Sequence, residues 1–404
     1  MYDVVVIGAG ASGIIAAISA SRDGKKVLLL EKLSKIASKI KATGGGRCNL
    51  SNTLSSADFM SKFGKHGRFM TKSLEVFSKD DLIEFFDSIG LDTHCLDGFR
   101  IFPSTHNSQS VIDALAEEMK KLEIEILCSS RVTNIKYENS KVKSVEVDGM
   151  SYSCKNIIIA SGGLGYSTLG AEGDGYIWAK ESGHKISKTY PAMMPLHTKQ
   201  RWVEHCRADT IAKVEMIVDI KKYKKLKAVG DLIFTKSGIR GPVVLDFARE
   251  ITPLFDKYDE IPLKMNLIKG KNESDLINLF KQNPTLNIKE CLETILPSSV
   301  IKELANLCDV DILLIFKKLE GIKKESFVKI LVSTPLTISG HDGFKMAMIT
   351  RGGVSLKDID PDTMKSKIID GLYFCGEIMD IDGPCGGYNL QWAFSSGYLA
   401  GRIT

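Results

Sequence analysis

Gly8-Ala9-Gly10-Ala11-Ser12-Gly13 constrains this chain more than any other segment. A lone G-x-G-x-x-G is a weak signal, but its surroundings here are informative. It follows Asp3-Val-Val-Val-Ile-Gly8, a β-branched run ended by glycine that reads as a buried strand over 3–8. Residues 12–23, rich in Ala and Ile, read as a helix, and 26–31 (Lys-Val-Leu-Leu-Leu-Glu) as a second buried strand. Such a βαβ unit implies a parallel sheet with helices on its faces. Gly8 permits the tight turn, Gly10 lets backbone approach a pyrophosphate, and Gly13 lets helix and strand pack closely. The phosphates would rest on the backbone N–H groups of Gly10, Ala11 and Ser12, at a helix terminus that carries positive potential. Glu31, followed by Lys32, can accept hydrogen bonds from ribose hydroxyls and would repel a 2′-phosphate. The N-terminal unit is thus a dinucleotide site suited to FAD or NAD.

The remaining chain favours FAD. Ile157-Ile-Ile-Ala160-Ser161-Gly162-Gly163 reads as a late buried strand returning beside the dinucleotide. Gly371-Leu-Tyr-Phe-Cys-Gly376-Glu377, followed by Asp380 and Asp382, is an apolar strand ending in glycine and acids, suited to ribityl and phosphate groups. Gly383, Gly386, Gly387 and Tyr388 then lead into a helix from about Asn389, whose N-terminus suits the negative charge of a reduced flavin.

Between these ends, 36–56 with Gly44-Gly45-Gly46 reads as a loop, 72–89 and 108–122 as helices, and 131–138 with 142–148 as an antiparallel pair. The texture changes at Pro191. Short strands are expected to about 271, and short helices over 274–281, 287–296, 299–307 and 310–319. The division is therefore a discontinuous dinucleotide domain (1–190 and 336–404), a β-rich insertion (191–271) and a helical insertion (272–335). The lysine run at 221, 222, 224, 225 and 227 reads as a solvated face or edge protection.

Several classes are disfavoured. Nine cysteines occur with no C-x-x-C pair, which argues against a disulfide framework or zinc ribbon. His66, His94, His106, His197 and His341 show no metal spacing, so no metal is expected. No signal segment and no membrane-length apolar run is evident, so a cytoplasmic location is expected. A net charge of +5 over 404 residues suits anionic ligands without demanding nucleic acid, and no RNA-binding motif is seen.

Gly44-Gly45-Gly46-Arg47-Cys48-Asn49 and Asp382-Gly-Pro-Cys-Gly-Gly-Tyr388-Asn389-Leu390-Gln-Trp-Ala393 resemble a bacterial flavoprotein family of aminoacetone-oxidase-like and bile-acid 3-oxo-Δ4-reductase-like proteins. Thr350-Arg-Gly-Gly-Val354 and Met364-Lys-Ser-Lys367 are similar to it as well. The resemblance implies an α/β fold: a Rossmann-like, glutathione-reductase-like FAD domain with β-rich and helical insertions. It also implies that Gly46, Arg47, Cys48 and Asn49 lie at the isoalloxazine, that Gly376, Glu377, Gly387, Tyr388, Asn389 and Leu390 complete the site, and that Val132 meets the adenine side through its backbone.

A departure from the family lies in Phe234-Thr-Lys236-Ser-Gly-Ile-Arg240-Gly-Pro242, where Lys236 and Arg240 stand in place of the more usual His and Ser. They are either contacts for an anionic substrate or solvated charges. Cys48 is either a thiolate stabilised by Arg47, with a catalytic role, or a small residue packing beside the flavin. The expected activity is an FAD-dependent oxidoreductase that moves hydride through flavin N5 in enone reduction or amine oxidation of a small molecule. NADH or NADPH, bound transiently, or the amine itself would supply electrons. The substrate is expected to meet the flavin in a cleft between the FAD domain and the insertion at about 191–335. A flavin-containing binding or regulatory protein is the alternative.

Overall fold

Val4, Val5 and Val6 are fully buried, as a strand covered on both faces requires. In the computed structural model, which describes residues 1–403, they belong to β1 (Tyr2–Ile7). Helix α1 (Ala11–Arg22) connects it to β2 (Val27–Leu30), which lies parallel to β1 with Ile7 opposite Leu30. Strand β3 (Glu125–Leu127) extends the sheet beyond β2. On the other side come β4 (Val132–Glu138), β5 (Lys141–Val147) and β6 (Met150–Ile159). The last half of β6 pairs in parallel with β1, and its first residues pair antiparallel with β5. That double use makes β6 longer than the 155–160 strand expected from sequence. Strand β7 (Leu372–Phe374) closes the parallel part against β6, with Phe374 opposite Ile159. The parallel order is β3-β2-β1-β6-β7, and all five strands end on one edge of a seven-stranded sheet.

The C-terminal helix (Tyr388–Gly401) lies on α1. A Cβ on Gly397 would stand 2.3 Å from Ser12 O, and one on Gly401 would stand 2.4 Å from Ala16 O. The two helices therefore approach more closely than any side chain there would allow.

Two compact units account for the chain: 1–190 with 349–404, and 191–348. The second contains a closed antiparallel barrel in the order Leu196–Thr198, Gly238–Arg240, Lys227–Phe234, Thr210–Val218, Ile261–Asn266 and Thr334–Gly340. Ile261, Leu263 and Met265 are buried, while Lys264 between them is exposed; this alternation is that of a strand with one face inward. Helices Glu273–Gln282, Ile288–Leu292, Ser298–Asn306 and Gly321–Val332 share this core through Phe280, Leu292, Ile301 and Phe327. Asn272 and Asn287 start the first two with capping boxes to Asp275 and Glu290.

Three expectations are corrected. The first unit resumes at 349 and not at 336, because Thr334–Gly340 is the strand that closes the barrel between Leu196–Thr198 and Ile261–Asn266. Residues 310–319 are not a helix and hold only a turn at Phe316–Lys318, because Leu314 O and Ile312 O accept from the N–H groups of Ile288 and Lys289. The expected 72–89 helix is two, Thr71–Val76 and Lys79–Ser88, with Ser78 capping the second through Asp80 N and Asp81 N.

Candidate dinucleotide site

The three glycines of the first loop do different work. A Cβ on Gly8, which has φ +103, would fall 2.6 Å from Ala160 O, and one on Gly13 would fall 1.9 Å from Gly8 O. Chain packing alone demands glycine at both. Gly10 has φ −85 and ψ −170, and a Cβ there would meet nothing within 4 Å. The protein leaves this position open at the N-terminus of α1, which has no side-chain cap and no acid in its first turn. Such a terminus attracts anions. Ala11 is half-buried; Ser12 is buried and donates from Oγ to Cys375 O at 3.4 Å.

Glu31 follows the last residue of β2. Its Oε2 accepts from Ala9 N at 2.8 Å and its Oε1 from Leu33 N at 2.9 Å. The carboxylate thus braces the glycine loop, and each oxygen keeps a further lone pair for a ribose hydroxyl. The Lys32 ammonium is committed elsewhere, to Glu172 at 2.9 Å and Asp174 at 2.7 Å. Arg131 joins the same two acids at 3.2 and 2.6 Å. Burial pushes the Asp174 carboxyl up, but the bonds from Lys32 and Arg131 outweigh it and hold it below the usual range. Two of the three Lys32 ammonium donors are thus committed to acids. Val132 is buried at the start of β4; just before it, Ser129 N and Ser130 N donate to Leu33 O and Glu31 O.

Ala160 N donates to Ile7 O at 2.9 Å, so Ser161 and Gly162 (φ +71) emerge beside the glycine loop. The Ser161 hydroxyl is buried without a partner, as is that of Tyr176. Burial, with the charges of Glu377 and Asp380, holds the Tyr176 phenol well above its usual pKa. Buried polar atoms are nearly always hydrogen-bonded in complete structures. Two orphaned hydroxyls, one just after β6 and one in the helix Asp174–Glu181, therefore fit a polar ligand such as the ribityl–pyrophosphate part of FAD.

Two segments run side by side away from this loop. Gly376 (φ +78) packs on Ser12, and Glu377 reaches Lys39 at 2.6 Å and accepts from Thr350 N at 2.9 Å. Further along, Asn52 Nδ2 donates to Gly386 O at 2.9 Å. The Asn49 amide, oriented as its neighbours require, accepts from Gly387 N at 2.9 Å and donates to Ser51 O at 2.9 Å. Asn389 holds the turn before the C-terminal helix, accepting from Gly383 N at 2.8 Å and donating to Gly383 O at 2.9 Å. Tyr388 is buried against Phe59, Phe63 and Phe99, with ring centroids 5.0, 6.0 and 6.4 Å away. Leu390 is half-buried.

Gly44, Gly45 and Gly46 all have positive φ, and a Cβ on Gly45 or Gly46 would meet nothing. Arg47 is exposed. Cys48 is fully buried, and burial pushes its thiol up to about 11. At neutral pH it is a thiol, so the thiolate reading of Cys48 is corrected: desolvation outweighs any help from Arg47. Lys236 and Arg240 are exposed on the Phe234–Arg240 hairpin of the barrel unit. Sequence reasoning missed Lys39, Thr350 and Tyr176, which meet or face Glu377. Among the described residues no group of His, Cys, Asp or Glu could hold a metal, and no helix is long and apolar enough to cross a membrane.

The family model described as HI0933-like protein Rossmann domain matches residues 2–403. The chain belongs to this family. Its members are FAD-binding oxidoreductases of Rossmann fold, here with a six-stranded antiparallel barrel inserted. The 3-dehydro-bile acid delta(4,6)-reductase of Clostridium scindens is 33% identical, over 100% of this chain and 98% of the relative. The ribosomal RNA dihydrouridine synthase of Escherichia coli is 27% identical over 99% and 97%. Among solved structures, 3-ketosteroid delta1-dehydrogenase from Sterolibacterium denitrificans shares the fold with a TM-score of 0.54 at 12% identity, over 99% of this chain and 98% of that one. The expectation of no nucleic-acid partner therefore stands beside a family member named for ribosomal RNA.

Proposed function

We propose that this flavoenzyme reduces a carbon–carbon double bond conjugated to a carbonyl in a small organic substrate. The open position at Gly10, together with the unpartnered buried hydroxyls of Ser161 and Tyr176, supports the reading of the cofactor as FAD. The full-length similarity to an enone-type reductase supports the reaction class. FAD, when bound, supplies a two-electron carrier that accepts hydride from a donor such as NADH or NADPH and passes it to the electron-poor β-carbon, while a proton from water completes the α-carbon.

The chain's own residues bind and orient. The first N–H groups of α1 take the pyrophosphate, and Glu31 takes ribose hydroxyls while fixing Ala9. Glu377, held by Lys39 and Thr350, faces the polyol. The uncapped N-terminus of the C-terminal helix sets positive potential where a reduced flavin concentrates negative charge. Buried Cys48 packs and stays protonated at neutral pH.

A second reading has one specific support: the relatives named ribosomal RNA dihydrouridine synthase, in which case the unsaturated ring would be a uracil within RNA. The deciding experiment reduces the FAD-loaded protein with NADH or NADPH without oxygen, then offers a conjugated enone, an unmodified ribosomal RNA or air. Fast reoxidation by the enone supports the proposal. Reoxidation by RNA alone supports the second reading, and reoxidation by air alone overturns both.

A further inference from the structure

His184 is buried in the first unit, 3% exposed, and nothing in the proposed chemistry uses it. It follows the helix Asp174–Glu181, and its ring stands edge-on to Phe374 of β7, with centroids 4.8 Å apart. Its hydrogen bonds fix its tautomer. Ser366 Oγ accepts from Ile368 N at 3.0 Å and from Ile369 N at 2.9 Å, which fills both lone pairs of the hydroxyl. The Ser366 proton therefore goes to His184 Nε2, 2.8 Å away, and that nitrogen carries no hydrogen. Nδ1 carries it and faces Ala179 O at 3.2 Å and Ser182 Oγ at 3.0 Å. A second proton, on Nε2, would point at an oxygen with no lone pair to offer. The network thus admits the neutral ring alone.

The groups around it do not change this. Asp358 favours the imidazolium, but burial outweighs it and holds the His184 pKa below its ordinary 6.5. The Asp358 carboxylate itself accepts from Lys185 N at 2.9 Å. Lys367 donates to Lys357 O at 3.2 Å, and Lys365 pairs with Asp370 at 2.6 Å. Lys180 and Glu181, at the end of the helix, are exposed. Burial raises the phenols of Tyr137, near Ser182, and of Tyr373 on β7, so both stay uncharged.

The bond to Ser366 reaches further than its two residues. Residues 355–370 form a strap along β7: Ser366 N donates to Leu372 O at 2.7 Å, and Phe374 N to Met364 O at 3.0 Å. The start of the strap is tied beside His184, where Ser355 N donates to Lys185 O at 2.8 Å. Strand β7 leads directly to Gly376 and Glu377 of the dinucleotide site.

We infer that His184 is an acid-operated latch: protonation breaks its bond to Ser366, frees the strap from β7 and loosens the hold of Gly376 and Glu377 on FAD. This rests on the reading of Gly376 and Glu377 as cofactor contacts. A histidine that resists protonation when folded contributes stability that is complete above the ordinary 6.5 and is lost as pH falls from there through the folded value. A single proton changes the latch equilibrium by at most about tenfold per pH unit.

The test uses the FAD-loaded protein at pH 7.5 and pH 5. Hydrogen–deuterium exchange, corrected for the intrinsic effect of pH, reads the strap, and flavin fluorescence after dilution reads FAD release. In wild type at pH 5, residues 355–376 should lose protection while the strand at 2–7 keeps it, and FAD should leave faster. In His184→Asn, which is neutral at both pH values, both acid effects should vanish. Ser366→Ala lacks the latch at any pH, so at pH 7.5 it should exchange and release FAD as wild type does at pH 5. Unchanged protection of 355–376 in wild type at pH 5 overturns the inference, whether or not the variants fold. So does an acid response that persists in His184→Asn. If the strap opens and FAD release does not change, the link to the cofactor is overturned. A Glu377→Ala protein that binds FAD like wild type would then place the failure in the cofactor reading and not in the latch.

Discussion

Replacing each glycine of the first loop should separate folding from cofactor binding. In Gly13→Ala the added methyl would sit 1.9 Å from Gly8 O, a backbone atom that cannot swing away. Overpacking of this kind costs about 3 kcal/mol, the upper end of the usual range. For a unit of this size that lowers Tm by roughly 6–12 °C. Gly10→Val differs. Its φ of −85 and ψ of −170 suit a β-branched residue, and the new Cβ meets no protein atom within 4 Å. The remaining cost is a poorer N-cap, about 1 kcal/mol or a few degrees. The methyls do fill the space where backbone should meet phosphate, so FAD affinity should fall by about a hundredfold or more, as when charge-assisted bonds are lost. Thermal unfolding of the apoproteins by circular dichroism and titration with FAD by fluorescence read the two effects independently. A Gly10→Val protein that binds FAD like wild type would refute the placement of the pyrophosphate. One that is as unstable as Gly13→Ala would refute the claim that position 10 is open.

Other consequences can be checked more briefly. Cys48, a buried thiol with its pKa raised to about 11, should resist iodoacetamide at pH 8 in the native protein while exposed Cys128 and Cys385 react; early labelling of Cys48 by peptide mapping would contradict its burial. Cys48→Ser should also keep a substantial fraction of turnover, and a loss of several orders of magnitude with FAD still bound would restore a chemical role. Tyr176→Phe removes a buried hydroxyl that has no partner, so the apoprotein should unfold at the same temperature or higher. FAD binding should weaken by about tenfold if that hydroxyl meets the cofactor, and unchanged affinity would remove Tyr176 from the site. The Asp97 carboxyl, bonded to Arg100 at 2.5 Å, has a folded pKa of about 2 against an ordinary 3.8. Its contribution to stability is therefore complete above the ordinary value and is lost as pH falls from 3.8 through about 2. Asp97→Asn should flatten denaturation profiles within that window alone, and an equal loss at pH 7 and pH 2 would contradict the Arg100 pairing.

The two ends of the parallel sheet were legible because their signals are local. A buried run, a glycine turn and a second run ending in Glu31 lie within thirty-one residues. What the sequence hid is long-range. Lys39 and Glu377 are 338 positions apart, and no spacing rule joins them. Thr334–Gly340 alternates as any half-buried strand does, and nothing in it says whether it joins the barrel or the parallel sheet. Residues 310–319 have the apolar spacing of a helix, yet their carbonyls serve Ile288 and Lys289. The environment of Cys48 was hidden in the same way. Arg47 beside it suggests a thiolate, but the depth of burial that decides its protonation depends on elements far along the chain. The partners of Lys32, Glu172 and Asp174, lie some 140 residues on and no local signal announces them.

The central claim is that bound FAD delivers electrons to a conjugated double bond. The direct measurement is a single turnover: the FAD-loaded protein is reduced chemically, mixed anaerobically with a conjugated enone, and followed by flavin absorbance and mass spectrometry of the product. The account predicts reoxidation that is fast compared with buffer alone and one saturated ketone formed per FAD. A flavin that stays reduced in the enone and reoxidises only when air is admitted, with no saturated product, would contradict it.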